Sequence, residues 1–478
     1  MKISEIRLQN FRCFDRFNLE LGESFTVVIG KNGSGKSNLM AALIKGLSFM
    51  FARDYRYEGM TLPGDSFIKK ASFNLFDARR DAHSGEFNYP VSIQMNASIH
   101  GQPMQWEMYI GSQNGKVKSS LYKHAFQSMV ETYNDRQSKM PVLAFFGDSY
   151  PHRTKSISTY ARKIIGARDI IPRNFAFYDW DSNANCSDIW QKRYINVYRR
   201  INDFKIGIQP LQKDIQRIKD NLAPENSVAD PDANQLRELE SREKLLGEVL
   251  KLQSELAFVD RHLITFTKDT GQLLPADPEF TLSELVVNSP EGLPAKLDFL
   301  FANLTSSYYE SLPMGYKRIL SIVFEIAYRH YILNGDSEPE GIVIIDEIEL
   351  HLHPSLANSI VDRLRNTFPG VQFIVTTHSP QIITSLKKEE GMKLVSLKAT
   401  KSGIESVDEG NYYGADYETT LTELMGAKLR SSIIGNMLDS YRTFKRLNMP
   451  EEAEEIRKQI IGYTGPGNRY VEAELAKP

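Results

Sequence analysis

Val27-Val-Ile-Gly-Lys-Asn-Gly-Ser-Gly-Lys-Ser-Asn38 runs three apolar residues into a glycine-rich loop that ends in Gly-Lys-Ser. Gly30 to Ser37 fit the pattern G-x-x-x-x-G-K-[ST], whose glycines let backbone N–H groups wrap phosphates without Cβ clashes. Lys36 places an ammonium on the β- and γ-phosphates, and Ser37 offers a hydroxyl to Mg²⁺. The flanks supply the setting such a loop needs. Phe25-Thr-Val-Val-Ile29 reads as a buried strand, and Asn38 to Lys45 read as a helix with no breaker before Gly46. That helix aims its N-terminal dipole at the anion. Gly30, Lys31, Asn32, Gly33, Ser34, Gly35, Lys36, Ser37 and Asn38 are the expected nucleotide contacts.

Two stretches in the far half suit the same chemistry. Gly341-Ile-Val-Ile-Ile-Asp346-Glu347 is a short β-branched run ending in two carboxylates, the pattern of a buried parallel strand. Ligands gather at the carboxyl ends of such strands. Asp346 is placed to hold the Mg²⁺ shell, and Glu347 to orient and deprotonate the attacking water. Val371-Gln-Phe-Ile-Val-Thr-Thr377 reads as a second strand, followed by His378, which can donate a hydrogen bond to a γ-phosphate oxygen. His351 and His353 also admit a metal reading with Glu349, since residues two apart share one side of an extended segment. No third nitrogen or sulfur ligand stands nearby, which makes it the lesser reading.

Composition narrows the class. A chain of 478 residues has room for two to four domains, or for one large domain with insertions. Its formal net charge of -2 argues against coating nucleic acid through bulk positive charge, while leaving DNA possible at a local basic groove. Cys13 and Cys186 stand too far apart for a disulfide framework or a zinc finger, so a reducing compartment is expected. Met1-Lys-Ile-Ser-Glu-Ile-Arg7 lacks the apolar core of a signal peptide. No apolar run approaches the roughly 18 residues of a membrane span. The expectation is a soluble cytoplasmic protein with no membrane partner.

These elements resemble the ABC-type ATPase head shared by RecF, SMC and OLD-like proteins. The opening Ile6-Arg-Leu-Gln-Asn-Phe-Arg12-Cys-Phe14 is similar to theirs, and Asp346-Glu-Ile-Glu-Leu-His-Leu-His-Pro354 closely matches their Asp-Glu-x-Glu-x-His-Leu-His-Pro. The likeness covers residues 1–50 and 310–385 most clearly. It implies ATP and Mg²⁺ at a site shared by two subunits, Arg12 among the nucleotide contacts, and a homodimer or higher homo-oligomer. It reads the His351 turn as facing the other subunit. Leu312-Pro313-Met-Gly315 falls where the family has its signature segment, so Gly315 is expected to reach the partner's nucleotide in trans. Here the chain departs from the pattern. The family's serine is replaced by Pro313, which has neither a side-chain donor nor an N–H, and Ser311 is the nearest substitute. Pro141-Val-Leu-Ala-Phe-Phe-Gly-Asp148 looks like the strand that the family ends in glutamine, yet no glutamine follows.

The expected fold is α/β: an ABC-type P-loop ATPase head with a β-subdomain, an inserted antiparallel helical (coiled-coil) hairpin and a C-terminal helical tail. Residues 1–186 and 269–395 form the two parts of the head, 187–268 the hairpin, and 396–478 the tail. Two alternating runs within 90–113 predict an antiparallel β-hairpin. Ile201, Phe204, Ile208, Leu211, Ile215, Ile218 and Leu222 recur three and four apart, as do Leu245, Val249, Leu252, Leu256, Val259 and Leu263. The polar loop 223–233 separates them, and Gly207 and Pro210 should kink or split the first arm. The insertion either packs on the head or serves as a docking arm. Its charges, Lys192, Arg193, Arg199 and Arg200 against Asp188, Asp203, Asp214 and Asp220, read as a solvated face. Trp190, Tyr194 and Tyr198 read first as core.

The tail, residues 396–478, has no Asp-x-Asp, and no nuclease domain is expected within it. It resembles stand-alone ATPases of bacterial anti-phage systems, PtuA of the Septu system and ATPases encoded with retrons, which share a Tyr-Gly-x-Asp segment like Tyr413-Gly-Ala-Asp416. That likeness implies a separately encoded effector subunit, nuclease or toxin-like. The alternatives are a RecF-like DNA-repair ATPase and an ATP-locked scaffold with little turnover.

Overall fold

The computed structural model describes residues 1–51, 72–81, 83–135, 137–148, 159–167, 171–181, 187–203, 208–222, 233–268, 280–289, 291, 294–400, 403–424, 426, 432–465 and 467–476. Cys186, Phe204, Gly207 and the loop 223–232 lie outside the described residues. The chain divides into two compact units, Met1–Tyr413 and Gly414–Pro478.

A six-stranded sheet forms the centre of the first unit. The P-loop strand Phe25–Gly30 has the Thr376 strand, Gly370–Thr376, on one side and Met392–Thr400 on the other, both parallel to it. Beyond the Thr376 strand lie Glu340–Ile345, which leads into Asp346, and then Val142–Phe146, again parallel. Gly403–Asp408 closes the other edge, antiparallel to Met392–Thr400. Helices cover a parallel sheet on both faces, so its strands are apolar almost throughout. Val27, Val28, Ile29, Val343, Ile345, Phe373 and Val375 are all fully or nearly fully buried.

The strands at 392–408 correct the expected boundary at 395/396. Leu394, Val395 and Leu397 are buried in the sheet, so the head continues to Asp408 before any helical tail begins. Two alternating runs around Lys401-Ser-Gly403 are the sequence signal for this hairpin.

A second, four-stranded antiparallel sheet orders Phe14–Glu20, Lys2–Phe11, Val91–Ile99 and Gln102–Ile110. It contains the hairpin expected within 90–113 and packs on the P-loop helix Lys36–Leu47. The approach is close. The Trp106 indole donates to the Gly46 carbonyl at 2.8 Å, and a Cβ on Gly46 would sit 2.2 Å from Met95 Cε.

The segment 187–268 has three described helices, Ser187–Asp203, Ile208–Leu222 and Ala233–Thr267. Pro210 sits in the first turn of its helix, where its missing N–H costs no helical bond. Leu211, Ile215 and Ile218 are buried, as are Val249, Leu252, Leu256, Val259 and Leu263. The last helix is about 52 Å long at 1.5 Å per residue. Its C-terminal half packs on the helices Ser187–Asp203, Met314–Asn334 and Ile360–Thr367. The contact is polar as well as apolar, and Arg193 corrects the expectation of a solvated face. It is buried, and its guanidinium grips Glu255 through two bonds of 2.7 Å. Trp190 stacks on Tyr328 with ring centroids 5.6 Å apart.

Beside them the Tyr194 hydroxyl donates to Asp260 at 2.8 Å. Burial, reinforced by Glu284, pushes the Asp260 carboxyl up to about 7, against the lowering effect of the Tyr194 bond. Between its ordinary value and about 7 the folded chain holds a proton that the unfolded chain has released. This contribution to stability is fully present below the unfolded pKa and is lost as pH rises through about 7. Asp260→Asn stays neutral. Wild type is therefore expected to lose stability against the variant by about 1.4 kcal/mol per pH unit between about pH 4 and 7, and the difference levels off above about 7. Melting temperatures of both proteins followed from about pH 4.5 to 8.5 check this, and profiles that stay parallel between about pH 5 and 7 would refute it.

The second unit gathers Ser432–Arg446, Pro450–Thr464 and Arg469–Ala476 around Leu438, Tyr441, Ala453, Ile460, Val471 and Leu475. Among the described residues no helix is long and apolar enough to cross a membrane.

Candidate functional site

Three parallel strands bring their carboxyl ends together. The P-loop strand and Glu340–Ile345 are separated by one strand, and the strand between them ends at Thr376-Thr377-His378. The loop after Gly30, the Asp346-Glu347 pair and His378 thus open on one end of the sheet, where ligands sit in such folds.

The P-loop is built for close approach. Gly35 caps the helix with φ 99°, and a Cβ there would stand 3.0 Å from Cys13 Sγ. A Cβ on Gly30 would meet Ser34 Oγ at 2.5 Å. Lys31, Asn32, Gly33 and Ser37 are exposed, whereas Ser34 and Lys36 are buried. Ser34 Oγ is buried with no partner among the described residues. The Lys36 ammonium folds back to donate to the carbonyls of Gly30, at 2.9 Å, and Lys31, at 3.3 Å. Burial lowers its pKa, and Asp346, Glu347 and Glu349 oppose that shift. The lysine therefore stands within electrostatic reach of three carboxylates.

Asp346 continues the parallel ladder, its N–H donating to Phe146 O at 2.8 Å. Glu347 then turns left-handed with φ 52°. The Thr376 hydroxyl ties both residues, donating to Asp346 Oδ1 and accepting the Glu347 N–H at 2.8 Å. Burial first, then the charges of Asp346 and Glu349, raise the Glu347 carboxyl above the usual carboxylate range, while His378 pulls it down. The His378 side chain is therefore close enough to act on Glu347.

Behind this turn lies Arg318, fully buried in the helix Met314–Asn334. Its guanidinium donates to the carbonyls of Asp346 at 2.8 Å, Glu347 at 3.1 Å and Gly147 at 3.1 Å. Sequence reasoning missed Thr376 and Arg318, because their contacts, about thirty residues away at Asp346 and Glu347 and 171 away at Gly147, depend on which strands and helices become neighbours. A threonine at the end of the strand beside the acidic one is the only signal for the first. It also missed Asp77, which is fully buried and accepts from Arg12 Nε and Nη2, both at 3.1 Å, and from Lys45 at 2.9 Å. Arg12 also donates to Asn38 Oδ1 at 3.2 Å, which brings it to the first turn of the P-loop helix.

Gly315 lies in the first turn of its helix, against the chain's own His351. A Cβ there would meet the His351 carbonyl oxygen at 2.4 Å. Close packing within the chain therefore explains the glycine. Gly315→Ala is expected to cost about 1–3 kcal/mol through overpacking. A lowered melting temperature in the isolated protein checks this, and an unchanged one would leave only a contact in trans. Ser311 and Pro313 are exposed beside it. His353 caps the helix Pro354–Ala357, its Nδ1 lying 2.8 Å from Ser355 Oγ. No group of three metal-ligating side chains that includes His351 and His353 forms among the described residues.

A glycine-wrapped lysine, paired carboxylates two strands away and a histidine between them define a P-loop ATPase of the ABC type. The chain belongs to the AAA ATPase domain family, whose model matches residues 1–383. The retron Ec83 probable ATPase of Escherichia coli is 26% identical over 440 residues, which cover 85% of this chain and 75% of that protein. The retron Vc95 probable ATPase of Vibrio cholerae is 23% identical over 417 residues, 82% and 73% of the two chains. The Septu protein PtuA of Bacillus mycoides is 35% identical over 119 residues, 25% of this chain and 16% of that protein.

Proposed function

We propose that this ATPase is the ATP-driven sensor or regulatory subunit of an anti-phage defence complex, controlling or delivering a separately encoded effector. The observation that carries its chemistry is the placing of Lys36 within reach of Asp346 and Glu347 at one sheet end. In this reading the backbone of Gly30 to Asn38 cradles the phosphates of ATP, with Lys36 neutralising the β- and γ-oxygens. The site fits Mg²⁺. Ser37 presents an exposed hydroxyl, Asp346 keeps Oδ2 outside its bond to Thr376, and both are hard oxygen donors. Bound there, Mg²⁺ would offset charge on the phosphates. Glu347 holds the attacking water and takes its proton as the water oxygen bonds the γ-phosphorus and ADP leaves. His378 donates to a γ-phosphate oxygen. Arg12, anchored by Asp77 and Asn38, contacts the nucleotide from the side of the second sheet. The exposed Ser311, Pro313 and Met314 beside the buried Gly315 face the nucleotide of a second copy in this reading, so the working unit is a homodimer or larger.

The defence role rests on the likeness to the retron and Septu proteins. The test is a tagged Glu347→Gln chain recovered from its native host with ATP and Mg²⁺, its bound proteins identified by mass spectrometry. A stoichiometric nuclease or toxin-like subunit is the expected result. DNA with repair factors, and no effector, would move the assignment to a RecF-like role.

A further inference from the structure

Glu349 stands two residues beyond the proposed base, in a turn held by Leu350 N–H to Glu347 O at 3.0 Å and Leu352 N–H to Glu349 O at 2.8 Å. This turn swings the Glu349 side chain back toward the end of the Thr376 strand. There Oε1 accepts the backbone N–H of His378. That amide has left the sheet ladder, and no other bond to it is made among the described residues. The second oxygen, Oε2, is buried and has no partner among the described residues. Burying a carboxylate with half its acceptor capacity unused is costly, so a position that keeps one calls for an account. No guanidinium or ammonium forms an ion pair with it among the described residues. Its described tie is the His378 amide.

We infer that Glu349 is a positioning residue, which fixes the backbone of His378 to the turn carrying Glu347. The inference rests on the proposed roles of Glu347 and His378. The two strand ends are then cross-tied twice. Thr376 grips Asp346 and Glu347 from one strand, and Glu349 grips His378 from the other. The histidine that meets the γ-phosphate and the carboxylate that meets the water therefore move as one body. The tie depends on reach: an acceptor must extend to the His378 N–H. Charge alone does not make it.

The test compares Glu349→Gln, Glu349→Asp and Glu349→Ala in the full chain, alone and with His378→Ala. Readouts are kcat and KM for ATP and the Kd of a fluorescent ATP analogue. Gln keeps the reach and loses the charge, so it should retain most of kcat. Asp keeps the charge and loses the reach, so it should fall with Ala by about 10–100-fold in kcat. KM and Kd should stay within about threefold, because the P-loop is untouched. Glu349→Ala with His378→Ala should be little slower than the worse single variant, since Glu349 acts through the imidazole that His378→Ala removes, although the backbone N–H stays. An inverted order, with Asp active and Gln inactive, would overturn the proposal, as would two losses that multiply. The Gln and Asp variants keep the proposal testable should Ala fail to fold. Glu347→Gln run alongside separates the outcomes: normal turnover there removes the assignment of the base, whereas the order of Gln and Asp judges Glu349.

Discussion

Glu347→Gln lowers ATP turnover by about 10²–10⁴-fold, the range a positioned general base contributes, while ATP still binds. The argument is local. Gln fills the same volume, and its backbone N–H still reaches Thr376, so the left-handed turn and Asp346 stay in place. What disappears is the oxygen that takes the proton from water. One negative charge also leaves the group that acts on Lys36, which favours the anionic nucleotide. The variant should therefore accumulate in the ATP-bound state. With ATP and Mg²⁺ present, light scattering behind size exclusion should show a larger closed species that wild type populates only transiently. Hydrolysis at the wild-type rate would remove Glu347 as the base.

The elements that carry this chemistry were legible because each is a local pattern. The P-loop lies in eight consecutive residues, the carboxylate pair ends a β-branched run, and His378 follows another. Buried parallel strands announce themselves by continuous apolar residues. The supports were not legible. Thr376 bonds Asp346 across thirty positions, Arg193 bonds Glu255 across sixty-two, and Arg12 bonds Asp77 across sixty-five. None has a periodicity, because each depends on which strands and helices become neighbours. Arg193 was misread for a related reason. A basic residue on a helix is usually solvated, and the arrival of Glu255 from another helix helps make its burial tolerable. The strands at 392–408 escaped notice because their outer positions carry Lys398, Glu405 and Asp408, which blunts the apolar signal at a sheet edge.

Arg318→Met is expected to cut hydrolysis by about 10²-fold while leaving nucleotide affinity within about threefold. Methionine fills much of the same channel but donates nothing. The carbonyls of Gly147, Asp346 and Glu347 then lose the donors that hold them. Those carbonyls belong to the ends of two neighbouring strands, and the last two carry the metal ligand and the base. A shift of about 1 Å at such a turn costs about two orders of magnitude in rate. The P-loop lies two strands away and keeps its own bonds, so binding is spared. Lysine at this position is an intermediate case, since one ammonium can satisfy two of the carbonyls but cannot match the planar fork that reaches both strands. Single-turnover hydrolysis, measured beside equilibrium binding of a fluorescent ATP analogue, separates the two effects. Loss of binding in step with hydrolysis would show that Arg318 supports the whole sheet end. Normal turnover would show that Thr376 alone suffices to hold the turn.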